Sequence, residues 1–229
     1  MCVIIIAKNK KIKKNTFRKA WSSNSDGFGM AWREGSEIHY KKGLMTLKEA
    51  KQFYYSRNFP FPHILHFRIA SVGEVCPELT HPFVLGWETA LEGQTKTGVL
   101  FQNGTSSSSL EYIINIALLR GIKLPGGKWN DARALGIIVR ELGVNVLPLI
   151  DPGKIAILTP TKLEVYGDFQ EYRGNLFSNL YWKFDSYSLY PKYQYTENRL
   201  SYPTDDDGIT KEENEWLKGI KDENKMVKD

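Results

Sequence analysis

The chain has 229 residues, 41% of them hydrophobic and 13% aromatic, enough for one large folded domain and too apolar for a disordered chain. Lysine and arginine number 31 against 26 acidic residues, and a net charge of +5 is too small to require a nucleic-acid partner. Two cysteines, Cys2 and Cys76, exclude a disulfide framework, and no apolar run approaches membrane-spanning length, so the expectation is a soluble, reducing, cytoplasmic setting without a membrane partner.

Residues 2–7 read as a fully buried strand that starts on a cysteine. "KNKKIKKNTFRK" (Lys8–Lys19) follows and reads as a solvated turn; its functional alternative is a patch for nucleic acid or an acidic partner, although aromatic residues are not interleaved with the lysines. "FGMAWREGSEIHYKKG" predicts a hairpin turning at Glu34–Gly35–Ser36. Thr46 and Glu49 form a capping box ahead of a helix in "TLKEAKQFYYSRN". "PHILHFRIAS" predicts a short strand, residues 72–98 a turn-rich stretch, and "GVLFQNGT" a strand running into a sharp turn. "SSSLEYIINIALLRG" and "NDARALGIIVRELG" predict two helices, the second capped by Asn130 or Asp131. "KIAILTPTKLEVYG" predicts a last hairpin. Strand blocks flanking a central helix pair indicate α+β rather than alternating βαβ units. Residues 1–184 then form one domain, and 185–229, tyrosine-rich and then charged, read as an extension too short for a second core.

Several small motifs carry little. "NGT" at Asn103 matches a glycosylation acceptor, but nothing predicts entry to the secretory pathway. "PGGK" (Pro125–Lys128) lacks the spacing of a phosphate loop. His63, His66, Cys76 and His81 suggest a metal set, but residues three apart on a strand face opposite ways, so no metal or cofactor is expected.

Cys2 raises a sharper possibility. If Met1 is removed, Cys2 carries a thiol and a free α-amine on one carbon, and an amine with a pKa of about 7.7–8.0 can serve as the base a thiol nucleophile needs. Attack on an amide also needs an oxyanion hole, and Asn103–Gly104 offers a side-chain amide and an accessible backbone N–H. Arg68 and Asp131 are candidates for a substrate carboxylate and amine. Each residue also has an ordinary reading: Arg68 as a strand-end ion pair, Asp131 as a helix cap, Asn103–Gly104 as a hairpin turn.

The order of these pieces resembles the class II glutamine amidotransferases, members of the N-terminal nucleophile hydrolases. The resembling stretches are "MCVIIIA", "NSDGFGMAW", "HFRIASVGEVCPELTHPF", "LFQNGT" and "WNDARALGIIVREL", with "GNLFSNLYW" a looser one, and the third is most like stand-alone glutaminase-type members. The resemblance implies a four-layer αββα sandwich, two mainly antiparallel sheets between helices. It implies Cys2 as nucleophile, its α-amine as base, and Asn103 with the Gly104 backbone as oxyanion hole. Arg68 and Ser71 would hold the glutamine α-carboxylate, the arginine through a two-pronged geometry that lysine cannot copy. Asp131 would hold the α-ammonium, while Asp26, Gly27, Gly73 and His81 would shape the pocket walls. The implied partners are glutamine and a separate ammonia-accepting synthase. Val3, Val72 and Gln102 depart from residues common in the family, and Ser71 stands where threonine is usual. Two other readings keep the fold: an N-terminal-cysteine hydrolase of another γ-glutamyl or amide substrate, and a catalytically silent binding module.

Overall fold

The computed structural model describes residues 2–71, 73–106, 109–121 and 126–183. Met1, Val72 and the 185–229 extension lie outside them. In chain order the elements are β1 (Val3–Ala7), α1 (Lys14–Ser23), β2 (Phe28–Glu34), β3 (Glu37–Leu44), α2 (Leu47–Tyr55), β4 (His63–Phe67), β5 (Phe83–Val84), β6 (Glu92–Thr95), β7 (Val99–Asn103), α3 (Ser109–Arg120), α4 (Asp131–Leu142), α5 (Leu147–Ile150), β8 (Lys154–Leu158), β9 (Leu163–Tyr166), β10 (Gln170–Tyr172) and β11 (Asn175–Phe177). The chain is α+β, and its strands form two antiparallel sheets, one ordered β10-β11-β1-β4-β2-β3-β6 and the other β5-β7-β8-β9.

β1 lies near the middle of the larger sheet, antiparallel to β4 with Val3 opposite Phe67 and Ala7 opposite His63. All five of its residues are buried, as a strand covered on both faces requires. Its alternate side chains enter different cores. Val3, Ile5 and Ala7 join Phe17, Ala20 and Trp21 of α1 and Ala50 and Tyr54 of α2. Ile4 and Ile6 instead meet Val99 and Phe101 of β7 and Ala156 and Leu158 of β8. The opposite side of the smaller sheet packs Leu100, Ile155 and Ile157 against Leu135 and Val139 of α4.

Local signals account for the elements the sequence predicts. The hairpin turns at Gly35, whose φ of 60° suits glycine. Thr46 and Glu49 make both hydrogen bonds of the capping box. Asn130 rather than Asp131 caps α4, its Oδ1 accepting from the Arg133 N–H at 2.9 Å.

One expectation is corrected. The lysine-rich stretch is only partly a turn, because Lys14–Ser23 is a helix. Phe17, Ala20 and Trp21 repeat at helical spacing and are buried, while Lys14, Arg18 and Lys19 occupy the remaining surface. The helix lacks a capping signature: Lys13 is its N-cap and makes no side-chain capping bond.

Candidate active site

A cavity of about 330 Å³ opens at the Cys2 end of β1, lined by Cys2, Ile69, Ala70, Ser71, Asn103, Gly104 and Thr105. Three chain ends meet there: the start of β1, the segment after β4 and the end of β7. The antiparallel pairing of β1 and β4 puts the first and second side by side. The Cys2 Sγ donates to the Ile69 carbonyl at 3.3 Å and accepts from the Ile69 N–H at 3.4 Å. Burial pushes the thiol pKa up, opposed by the Ile69 backbone bond and by the positive charge of Arg68. A thiol held protonated in this way needs a base before it can attack.

Ser178, just beyond β11, joins β1 to Asn103. Its N–H donates to the Ile4 carbonyl and its Oγ accepts from the Ile4 N–H, both at 2.9 Å. The same Oγ accepts from Asn103 Nδ2 at 2.8 Å. Asn179 donates its side-chain amide to the Cys2 carbonyl at 2.8 Å. The amide of Asn103 is thereby fixed beside Cys2, 5% exposed, with its Oδ1 lacking a partner among the described residues. Gly104 must be glycine because a Cβ there would lie 2.6 Å from the Pro152 carbonyl oxygen. That close approach holds the turn after β7 against Pro152–Gly153. Ser71 and Thr105 join the two walls through their hydroxyls, 3.0 Å apart.

The remaining nominated residues lie behind the walls and do not line the cavity. Asp26 accepts from the Ala70 N–H at 2.8 Å and so braces the segment after β4. Gly27, at φ 125°, backs onto Thr80, and its carbonyl takes the Arg68 N–H. Arg68 is 2% exposed. Asp131, at the first turn of α4, accepts from the Ser106 N–H at 2.9 Å and anchors the loop after Thr105. Gly73, at φ 78°, packs near Leu79 and Asn130. His81 is buried against His66, ring centroids 3.9 Å apart, and against Phe83.

His63 and His66 point to opposite faces of β4, as the spacing predicts. His63 bonds the Tyr54 hydroxyl at 3.0 Å, and His66 Nε2 bonds the Gln102 carbonyl at 3.0 Å. Among the described residues no group of three or more His, Cys, Asp or Glu is placed to hold a metal ion. Nor is any helix among them long and apolar enough to cross a membrane.

Sequence reasoning did not nominate Ile69, Thr105, Ser178 or Asn179. The "SN" of the looser stretch was the available signal for the last two; Ile69 and Thr105 act through position alone. Neither protein-family models nor curated proteins gave a match to the chain.

Proposed function

We propose that the protein is a glutaminase of the class II amidotransferase type, hydrolysing the side-chain amide of glutamine. The observation that carries this reading is that Cys2, Asn103 and Gly104 line one cavity. Removal of Met1 frees the Cys2 α-amine, which takes the thiol proton. Sγ then forms a bond to the amide carbon, and the carbonyl oxygen becomes an oxyanion held by Asn103 and the Gly104 N–H, worth about 3 kcal/mol per donor. Collapse breaks the carbon–nitrogen bond, the leaving nitrogen takes a proton from the ammonium, and ammonia departs. Water, deprotonated by the same amine, cleaves the thioester to give glutamate and restore the thiol. The four-layer αββα arrangement belongs to this proposal, supported by the three apolar clusters on successive faces of the two sheets. Ammonia delivery to a separate synthase and a cytoplasmic setting are further parts of it; two unpaired cysteines suit a reducing compartment. The deciding experiment incubates the purified chain with glutamine and assays glutamate. Normal turnover by Cys2→Ala would sink the assignment.

One observation favours a second reading, hydrolysis of another amide by the same nucleophile. Arg68 and Asp131, expected to hold an amino-acid head group, do not line the cavity, and Asp131 already bonds Ser106. Labelling of Cys2 by a glutamine-mimicking electrophile separates the two. Protection by glutamine supports the glutaminase, and labelling that glutamine does not slow supports the other substrate.

A further inference from the structure

A second, larger cavity of about 460 Å³ lies at the other end of β1, beside the start of α1. β1 spans roughly 17 Å at about 3.3 Å per residue, and Phe177, which lines this cavity, pairs opposite its Ile5. Its volume falls in the range of small-ligand sites, about 300–1,000 Å³. Lys10, Lys11, Lys13 and Arg173 line it together with the buried Ile12 and Phe177, the Lys10 side chain lying against Gly174 beside Arg173, and no acidic residue lines it. Glu171, next to Tyr172, pairs with Lys8 at 2.9 Å. Lys11 donates to the Arg57 carbonyl, which leaves Lys10, Lys13 and Arg173 as the exposed cations of the rim. The start of α1 adds to the positive field, with no acid in its first turn and no side-chain cap.

Phe17 of the lysine stretch is buried, and the aromatic ring at the cavity, Tyr172 of β10, is not a stacking platform. The Tyr172 ring has the Lys183 ammonium 3.5 Å and the Arg173 guanidinium 5.2 Å from its centroid. Phe177 and Trp182 pack on it edge-to-face, at 5.8 and 5.9 Å. A ring so engaged offers no free face to a nucleic-acid base. A concave site that gathers several cations, one a guanidinium fork, suits phosphate oxygens instead.

We propose that this cavity binds a compact polyanion bearing two or more phosphate groups, with Lys10, Lys13 and Arg173 supplying the positive charge. The site is independent of the chemistry at Cys2. The test is titration calorimetry of the full chain with inorganic pyrophosphate at low salt. Saturable one-to-one binding is expected, weakened more than about tenfold in a Lys13→Glu/Arg173→Glu double variant and unchanged by Cys2→Ala. Lys13 and Arg173 are exposed, so both reversals leave the core intact. If that pair nevertheless fails to fold, Lys13→Gln/Arg173→Gln removes the same charges and should weaken binding several-fold. Absence of saturable binding at about 10 mM pyrophosphate, or less than about twofold loss in the variants, overturns the proposal. So does binding of a 20-nucleotide single strand that pyrophosphate does not displace, which identifies an extended nucleic-acid surface instead.

Discussion

The two ends of β1 are built from different materials. At Val3 a web of directed hydrogen bonds dominates: the thiol bonds the Ile69 backbone, Asn103 bonds Ser178, and Asn179 bonds the Cys2 carbonyl. At Ala7 the strand runs out into lysines on a surface that side-chain charge alone defines. The first end is over-determined, since Ser178 Oγ holds both the nucleophile strand and the oxyanion amide. The second is loosely specified, with exposed cations from two distant segments facing one cavity. Geometry is exacting where bonds are to be broken, whereas a charged groove tolerates long flexible side chains. A perturbation should therefore be costly at one end and cheap at the other.

The sharpest break comes from Cys2→Ala. Glutamate release should fall by more than about a thousandfold, because the bond-forming atom is gone. Cys2 precedes the buried run of β1 and is itself partly exposed, so the melting temperature should hardly move. A large loss of stability together with activity would instead make Cys2 a packing residue.

Acid should strike both ends at once, through β4. His63 sits opposite Ala7 and His66 opposite Ile4, and burial pushes their pKa values down to about 4 and about 3. Each is near 6.5 in the unfolded chain, so below pH 6.5 the unfolded chain takes up protons that the folded one refuses. Stability is full above pH 6.5 and falls as the pH drops towards the folded-state values, by about 2 kcal/mol per histidine at pH 5. Urea unfolding at pH 7 and pH 5 checks this, and equal midpoints would refute it. His63→Gln should remove only its own share of the slope, leaving that of His66.

Asn103→Ala and Ser178→Ala probe the shared anchor in two steps. The first removes an oxyanion donor and should lower kcat about a hundredfold or more, with KM little changed. The second leaves the buried Ile4 N–H without its hydroxyl acceptor, a cost of about 1–3 kcal/mol in stability, and frees the Asn103 amide to turn. Its activity loss should be smaller, roughly tenfold. If Ser178→Ala leaves both stability and turnover intact, Asn103 is held by something other than Ser178.

Legibility in the sequence follows how local each signal is. The hairpin of β2 and β3, the capping box of α2 and the cap of α4 are written in neighbouring residues, and they stand where the pattern puts them. α1 was missed because Lys13 is an unconventional cap and the run of lysines before it masks the short stripe of Phe17, Ala20 and Trp21. β10 and β11 are three residues each and acquire meaning only by joining β1 from the far end of the chain. At the site, motif order nominated Cys2, Ser71, Asn103 and Gly104, which meet at one cavity. It also nominated Asp26, Arg68, His81 and Asp131, whose positions behind the walls depend on which way a turn sends each side chain. Ser178 could not be found from composition, since its importance lies in two acceptor bonds to β1 and β7.

The smallest effect is expected at the lysine end, where it tests whether the two ends are independent. Lys13 is exposed, makes no capping bond and is not among the residues lining the Cys2 cavity. Lys13→Glu puts an acid beside the start of α1, where the helix dipole favours it by about 0.3–1 kcal/mol, and removes a like-charge neighbour of Lys10 and Lys14. Stability should thus rise slightly or stay within about 0.5 kcal/mol, and glutamate release should be unchanged. An exposed charge outside the Cys2 cavity is screened over about 8 Å at physiological salt, so the reversed charge reaches Cys2 only weakly. A change in turnover beyond about twofold, at unchanged stability, would show that the cationic groove acts on the site through β1. The two ends would then be a coupled pair rather than neighbours on one strand.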